Sequence, residues 1–145
     1  MWSALLVTLA VALPVRAGSD KDLTVDQLKD RVANASVGDR PKLCVEIAQR
    51  QLGEADKLYA ASEIEKAQAP LTDVIAFSEL ARDYSIQSHK YQKQTEIAVR
   101  AMTRRLNGVL HTLGHEDQEP IKDALRRLEK VRDDLLASMF KKGAK

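Results

Sequence analysis

The chain has 145 residues, of which 44% are hydrophobic and 30% charged, with a formal net charge of +2. That length suits one domain with a modest core, and the near balance of charge argues against a nucleic-acid binder. With 4% aromatic residues and six scattered glycines the chain has neither a base-stacking platform nor a phosphate-cradling loop, and a single cysteine allows no intrachain disulfide.

Met1-Trp2-Ser3 precedes an apolar run from Ala4 to Leu13, which ends at Pro14 and the small-residue site Val15-Arg16-Ala17. The pattern predicts a secretory signal peptide over residues 1–17, although no Lys or Arg precedes the run; the competing reading is a buried N-terminal helix. The run is too short to cross a bilayer of about 30 Å as a helix, and no longer apolar stretch follows it. No cysteine stands at the cleavage point to carry a lipid. The expected product is a single helical domain over 18–145, periplasmic or otherwise in the cell envelope, with 18–23 and 141–145 disordered.

Thr24-Val25-Asp26-Gln27 has the pattern of a capping box, and Val25, Leu28, Val32 and Ala33 predict a short helix to about Ala35 that must pack on something larger to persist. A long amphipathic helix follows from Arg40, with Asp39 as its expected N-cap and Pro41 in its first turn. At 100° per residue, Cys44, Ile47, Ala48, Leu52, Ala55, Leu58 and Tyr59 share one face, opposite Lys42, Gln49 and Lys57. Cys44 lies in the middle of that apolar face, which predicts a buried thiol that packs as a small hydrophobe, against the alternative of an intermolecular bridge.

Ser62-Glu63-Ile64-Glu65 reads as a second capping box, opening a helix whose apolar side is Ile64, Ala67, Leu71, Val74, Ile75, Ser78 and Ala81. Phe77 and Tyr84 widen that side to roughly half the circumference, enough for two neighbours. Pro70 lies within the pattern and predicts a kink or a break, since it removes one N–H and costs about 3 kcal/mol. The two arms form a helical hairpin, in which Ala55, Tyr59, Ile64, Ala67, Leu71 and the run Ser62 to Ala67 resemble one tetratricopeptide unit, from Asp39 to about Ser85. The resemblance implies binding of a protein partner in a groove; it implies no chemistry and supplies no ligand residue.

Ser85 to His89 is polar and reads as either a turn or a continuation. Tyr91, Thr95, Ala98, Val99, Met102, Leu106, Val109, Leu110 and Leu113 then recur at three- and four-residue spacing, the stripe of a bundle helix. Gly114 is its expected C′ residue. Asp117 is the expected N-cap of a last helix carrying Ile121, Ala124, Leu125, Leu128, Val131, Leu135 and Met139 on one side, and the short connection makes these two helices antiparallel neighbours. The expected fold is all-α: an antiparallel bundle of about four to five helices built from two long helical hairpins.

Residues 18–88 hold nine basic and thirteen acidic side chains, whereas 89–145 hold thirteen basic and eight acidic. The asymmetry reads most simply as solvated helix faces with a slight bias; the other readings are that an acidic hairpin docks on a basic one or that the basic half faces an anionic surface. His111 and His115 are four apart beside Glu116 and Asp117, but a helix ending at Gly114 removes the shared face that metal ligation requires. No metal, no cofactor, no catalytic set and no nucleic acid are expected, so the chain reads as a non-enzymatic interaction or scaffold protein. Its partner is a protein or a second copy, and the candidate stripe is Tyr91, Ala98, Met102, Leu106 and Val109. The alternative is an envelope-surface binder of anionic lipid or polyanionic polymer, with Lys90, Lys93, Arg100, Arg104 and Arg105 as the candidate anion patch.

Overall fold

The computed structural model describes residues 22–141; the expected leader, residues 18–21 of the segment expected to be disordered and the last four residues lie outside the described residues. Five α-helices follow one another: α1 (Val25–Asn34), α2 (Arg40–Ala60), α3 (Ile64–Ser88), α4 (Gln92–Leu110) and α5 (Glu119–Lys141). A short 3-10 turn, His115–Asp117, precedes α5, and no strand occurs among the described residues. The all-α bundle of two long hairpins is thus the fold. Of the segments expected to be disordered, Leu23 is partly buried and its carbonyl accepts from Arg50, and Lys141 closes α5.

Helices α2 and α3 pack along their lengths as one hairpin, and α4 and α5 as the other. The hairpins stack so that α2 runs beside α4 in the same direction, with Asp56 paired to Arg105, and α3 runs beside α5, with Glu79 paired to Arg127 and Arg82 to Asp134. Two of these three ion pairs join an acid of the first hairpin to a base of the second, so the charge asymmetry is partly spent inside the fold. Helix α1 lies on α2, where Lys29 and Gln51 converge on the Asp73 carboxylate at 2.8 and 2.7 Å.

The interior has two parts. The larger cluster spans α2 to α5 and includes Leu52, Leu71, Val74, Val99, Leu106, Leu128 and Leu135. The smaller one holds α1 in place through Leu28 and Val32, packed with Leu43, Cys44, Ile47 and Ala81. Each buried Leu or Ile contributes about 1.5–3 kcal/mol, which is what lets a ten-residue helix such as α1 persist. Of the residues that resemble a tetratricopeptide unit, Ala55, Tyr59, Ala67 and Leu71 lie in the larger cluster with Ile64 packed against it, and Ser62, Glu63, Glu65 and Lys66 are exposed.

Helix ends depart from expectation more than helix bodies do. Thr24 caps α1 as the sequence predicts: its hydroxyl accepts from the Gln27 N–H at 3.2 Å, and the Gln27 side chain accepts from the Thr24 N–H at 2.9 Å. Asp39, in contrast, does not cap α2, because its backbone is already helical and its carboxylate accepts from the Ser36 hydroxyl instead. Ser62 is not an N-cap either. It takes a left-handed conformation (φ 59°), its N–H donates to Tyr59 O, and the Glu63 N–H reaches back to Leu58 O. That pair of bonds is a Schellman motif, so Ser62 is the residue just past the end of α2 and the α3 N-terminus has no side-chain cap.

Helix α3 continues unbroken through Pro70, whose lost hydrogen bond is outweighed by burial of Ala67, Leu71, Val74 and Ile75 on either side. Gly114 has φ −62° and is not a left-handed terminus; α4 stops earlier, where Thr112 and Leu113 N–H groups donate to Val109 O and Leu110 O. Asp117 lies inside the 3-10 turn, and the first carbonyl of α5 to be used is that of Gln118, which accepts from Lys122.

Candidate functional site

Three residues of the sequence-predicted stripe, Met102, Leu106 and Val109, face inward and belong to the larger cluster. They cannot dock a partner, because the chain's own α5 and α2 cover them. Ala98 is half-buried, and Tyr91 alone of the five stays open, at 38% exposure. Periodicity shows which residues share a face, and here that face is the seam between the two hairpins.

The basic patch separates in the same way. Arg105 holds Asp56 through two nitrogens at 2.6 and 3.0 Å, and Arg100 lies 3.4 Å from the buried Glu96, which Arg132 also engages. Lys90, Lys93 and Arg104 have no ion-pair partner among the described residues. Lys93 and Arg104 join Ile97 and Arg100 at i, i+4, i+7 and i+11, a solvent-facing line on α4; Lys90 lies elsewhere, over the α1–α2 loop, its side chain against Gly38.

Tyr91 occupies the corner where the α3–α4 turn meets α1 and α2. The connection is a turn, and it is built from two non-glycine residues in the left-handed region, His89 (φ 59°) and Tyr91 (φ 62°). Each such residue costs about 1–2 kcal/mol. The turn persists because its surroundings bond it at several points. The Ser88 hydroxyl donates to Tyr84 O at 2.7 Å and accepts from Lys90 N–H, the Gln92 amide donates to the buried Ser85 O, and Thr95 N–H donates to Tyr91 O. Beneath it the Ser85 and Thr95 hydroxyls pair at 2.9 Å in a fully desolvated setting.

This strained backbone holds the Tyr91 side chain between two clefts. One, of about 460 Å³, is bounded by Asn34, Ala35 and Leu43; the other, of about 290 Å³, by Val45, Gln49 and Gln94. Lys42 and Tyr91 line both. Periodicity placed Tyr91 in a stripe but gave no sign of its left-handed backbone, since no glycine or asparagine marks the turn. The signal available was the run of polar residues before it.

A larger cleft, of about 810 Å³, opens at the far end of the bundle between the α2–α3 turn and the end of α4. Tyr59 lies in its floor, accepting from Gln68 at 3.3 Å. Burial pushes the Tyr59 hydroxyl above its ordinary pKa, the Gln68 hydrogen bond opposes that, and the nearby Asp117 carboxylate adds to it. A phenol held neutral beside one carboxylate offers hydrogen bonding but no base poised near neutrality.

Cys44 is fully buried and free. Burial pushes its thiol up to about 12, against a smaller lowering by Arg40, so it is neither a nucleophile nor a ready bridge. His111 ends α4 and His115 opens the 3-10 turn; among the described residues no group of three or more His, Cys, Asp or Glu is placed to hold a metal. No described helix is long and apolar enough to cross a membrane. The architecture places the chain among all-α helical bundles. Comparison with protein-family models, curated proteins and solved structures gives no match in any of the three.

Proposed function

We propose that the protein is an exported, non-enzymatic interaction module of the periplasm or cell envelope that docks a protein partner at the Tyr91 corner. The supporting observation is the partly exposed ring held on a left-handed backbone between two clefts. Strain of this kind clusters at binding sites, and tyrosine is among the residues that most often anchor protein interfaces. The predicted leader supports export, and the tetratricopeptide resemblance favours partner binding over chemistry. A photo-crosslinking residue at position 91, with one at the exposed Asp123 as control, tests this in cells. The expected result is one protein captured from position 91 alone; capture of no protein, or of the same set from both positions, overturns it.

A second reading is contact with anionic lipid or polymer through the outer face of α4. It is favoured by the line of Lys93, Ile97, Arg100 and Arg104, on a helix whose one carboxylate, Glu96, is buried. Cosedimentation with phosphatidylglycerol vesicles, lost on combined Lys93→Glu and Arg104→Glu, supports that reading; no cosedimentation of the unaltered chain removes it.

A further inference from the structure

Resting on the interaction reading above, we infer that the Tyr91 corner selects an acidic segment of its protein partner, taken in extended or turn form across the two clefts. Lys42 stands between the clefts, exposed, and Lys90 crosses the α1–α2 loop beside them. Neither ammonium has an ion-pair partner among the described residues, which sets them apart from Lys29 and Lys130, both paired to carboxylates. Arg31 lines the α1 side of one cleft but is itself engaged and does not join them.

The carboxylates at the corner offset this charge only in part. Glu46 is taken by Arg50 at 2.9 Å, which leaves Asp39, turned to the Ser36 hydroxyl, as the one acid of the cleft walls without a basic partner. The walls carry apolar side chains, the buried Leu43 and the half-buried Val45 and Ala35. An apolar side chain of the partner seats beside the Tyr91 ring, and carboxylates before and after it reach Lys42 and Lys90. The aromatic contributes affinity and the lysines contribute selection and approach rate. An anionic membrane fits less well, since Lys42 stands at two concave clefts instead of on a flat face.

The test uses the full chain and labelled twelve-residue peptides in which four Glu flank a central Leu-Phe pair, with matched peptides carrying Gln or Lys in place of Glu. Fluorescence anisotropy at low salt is expected to show saturable binding of the Glu peptide and at least tenfold weaker binding of the other two. Combined Lys42→Gln and Lys90→Gln should weaken the Glu peptide about tenfold with an unchanged melting temperature, because both side chains are exposed and unpaired. Raising the salt should weaken binding by the chain but not by the double variant. Equal binding of Glu and Gln peptides, indifference to the lysine changes, no peptide binding, or displacement of the peptide only by phosphatidylglycerol vesicles each overturns the acidic choice. Failure of the interaction reading itself shows separately, as an absence of protein captured from position 91.

Discussion

Replacing Ser62 with glycine is expected to stabilise the protein. Ser62 has φ 59° at the exposed end of α2, and its side chain makes no hydrogen bond that glycine would lose. A left-handed non-glycine residue costs about 1–2 kcal/mol, and glycine returns about 0.5–1 kcal/mol of that in unfolded-state entropy. The net gain is about 0.5–1 kcal/mol, or roughly 2–5 °C in melting temperature for a domain of this size. Ser62→Ala should be neutral within about 0.5 kcal/mol. A serine acting as N-cap of α3 gives the opposite pattern: alanine costs about 1 kcal/mol and glycine a few tenths. Urea titrations of the three proteins separate the cases, provided the dependence on denaturant is unchanged between them. A loss on Ser62→Ala of 1 kcal/mol or more, with no gain on Ser62→Gly, would refute the Schellman assignment.

Other expectations follow from burial. Ser78 has a fully buried hydroxyl without a partner among the described residues, so Ser78→Ala should raise stability by about 1 kcal/mol; a loss of that size would reveal a hydrogen bond not seen here. Leu106→Ala should cost about 2–5 kcal/mol, and Leu106→Asp should abolish the cooperative melt, whereas a docking residue would leave the melt intact. Glu96→Ala should cost about 1–2 kcal/mol, since it removes the buried acceptor that ties Arg132 of α5 to α4 and leaves Arg132 with Glu129 alone; a change below about 0.5 kcal/mol by chemical denaturation would count against that role. Cys44 should resist thiol reagents at pH 8 until the protein unfolds. Its pKa is raised in the fold, so the unfolded thiol ionises first and stability falls as pH rises from 9 to about 12; a shallower fall after Cys44→Ala than before it checks the assignment, the remaining fall including that of the raised Tyr59 hydroxyl.

Helix bodies were readable from sequence because burial follows period. The apolar faces of α2, α3, α4 and α5 are the ones that pack, and Cys44 is buried where the periodicity puts it. Ends were less readable, because one pattern serves two motifs. A serine three residues before a glutamate describes Thr24-like caps, but Ser62 fits it while closing the preceding helix. Gly114 looks like a terminus yet keeps an ordinary φ, since α4 had already found other donors for its last carbonyls. The candidate site failed for a related reason: sequence identifies a face as apolar or basic but not what covers it. Met102, Leu106 and Val109 are covered by the other helices of the bundle, and Arg105 is taken by Asp56, 49 residues away. Tyr91 survives as an open residue because a left-handed turn lifts it away from its stripe.

The division of the interior into two clusters also bears on how the molecule breathes. Helix α1 is ten residues long and touches the remainder mainly through Leu28, Val32 and the Lys29–Asp73 bridge, so its amides should exchange with solvent through a local opening that leaves α2 to α5 closed. Arg31, Asn34 and Ala35 form one wall of a cleft beside Tyr91, and each such opening removes that wall. The Tyr91 corner is therefore assembled in part by the least anchored of the described helices. A ligand seated there would slow exchange throughout α1, including at amides it never touches.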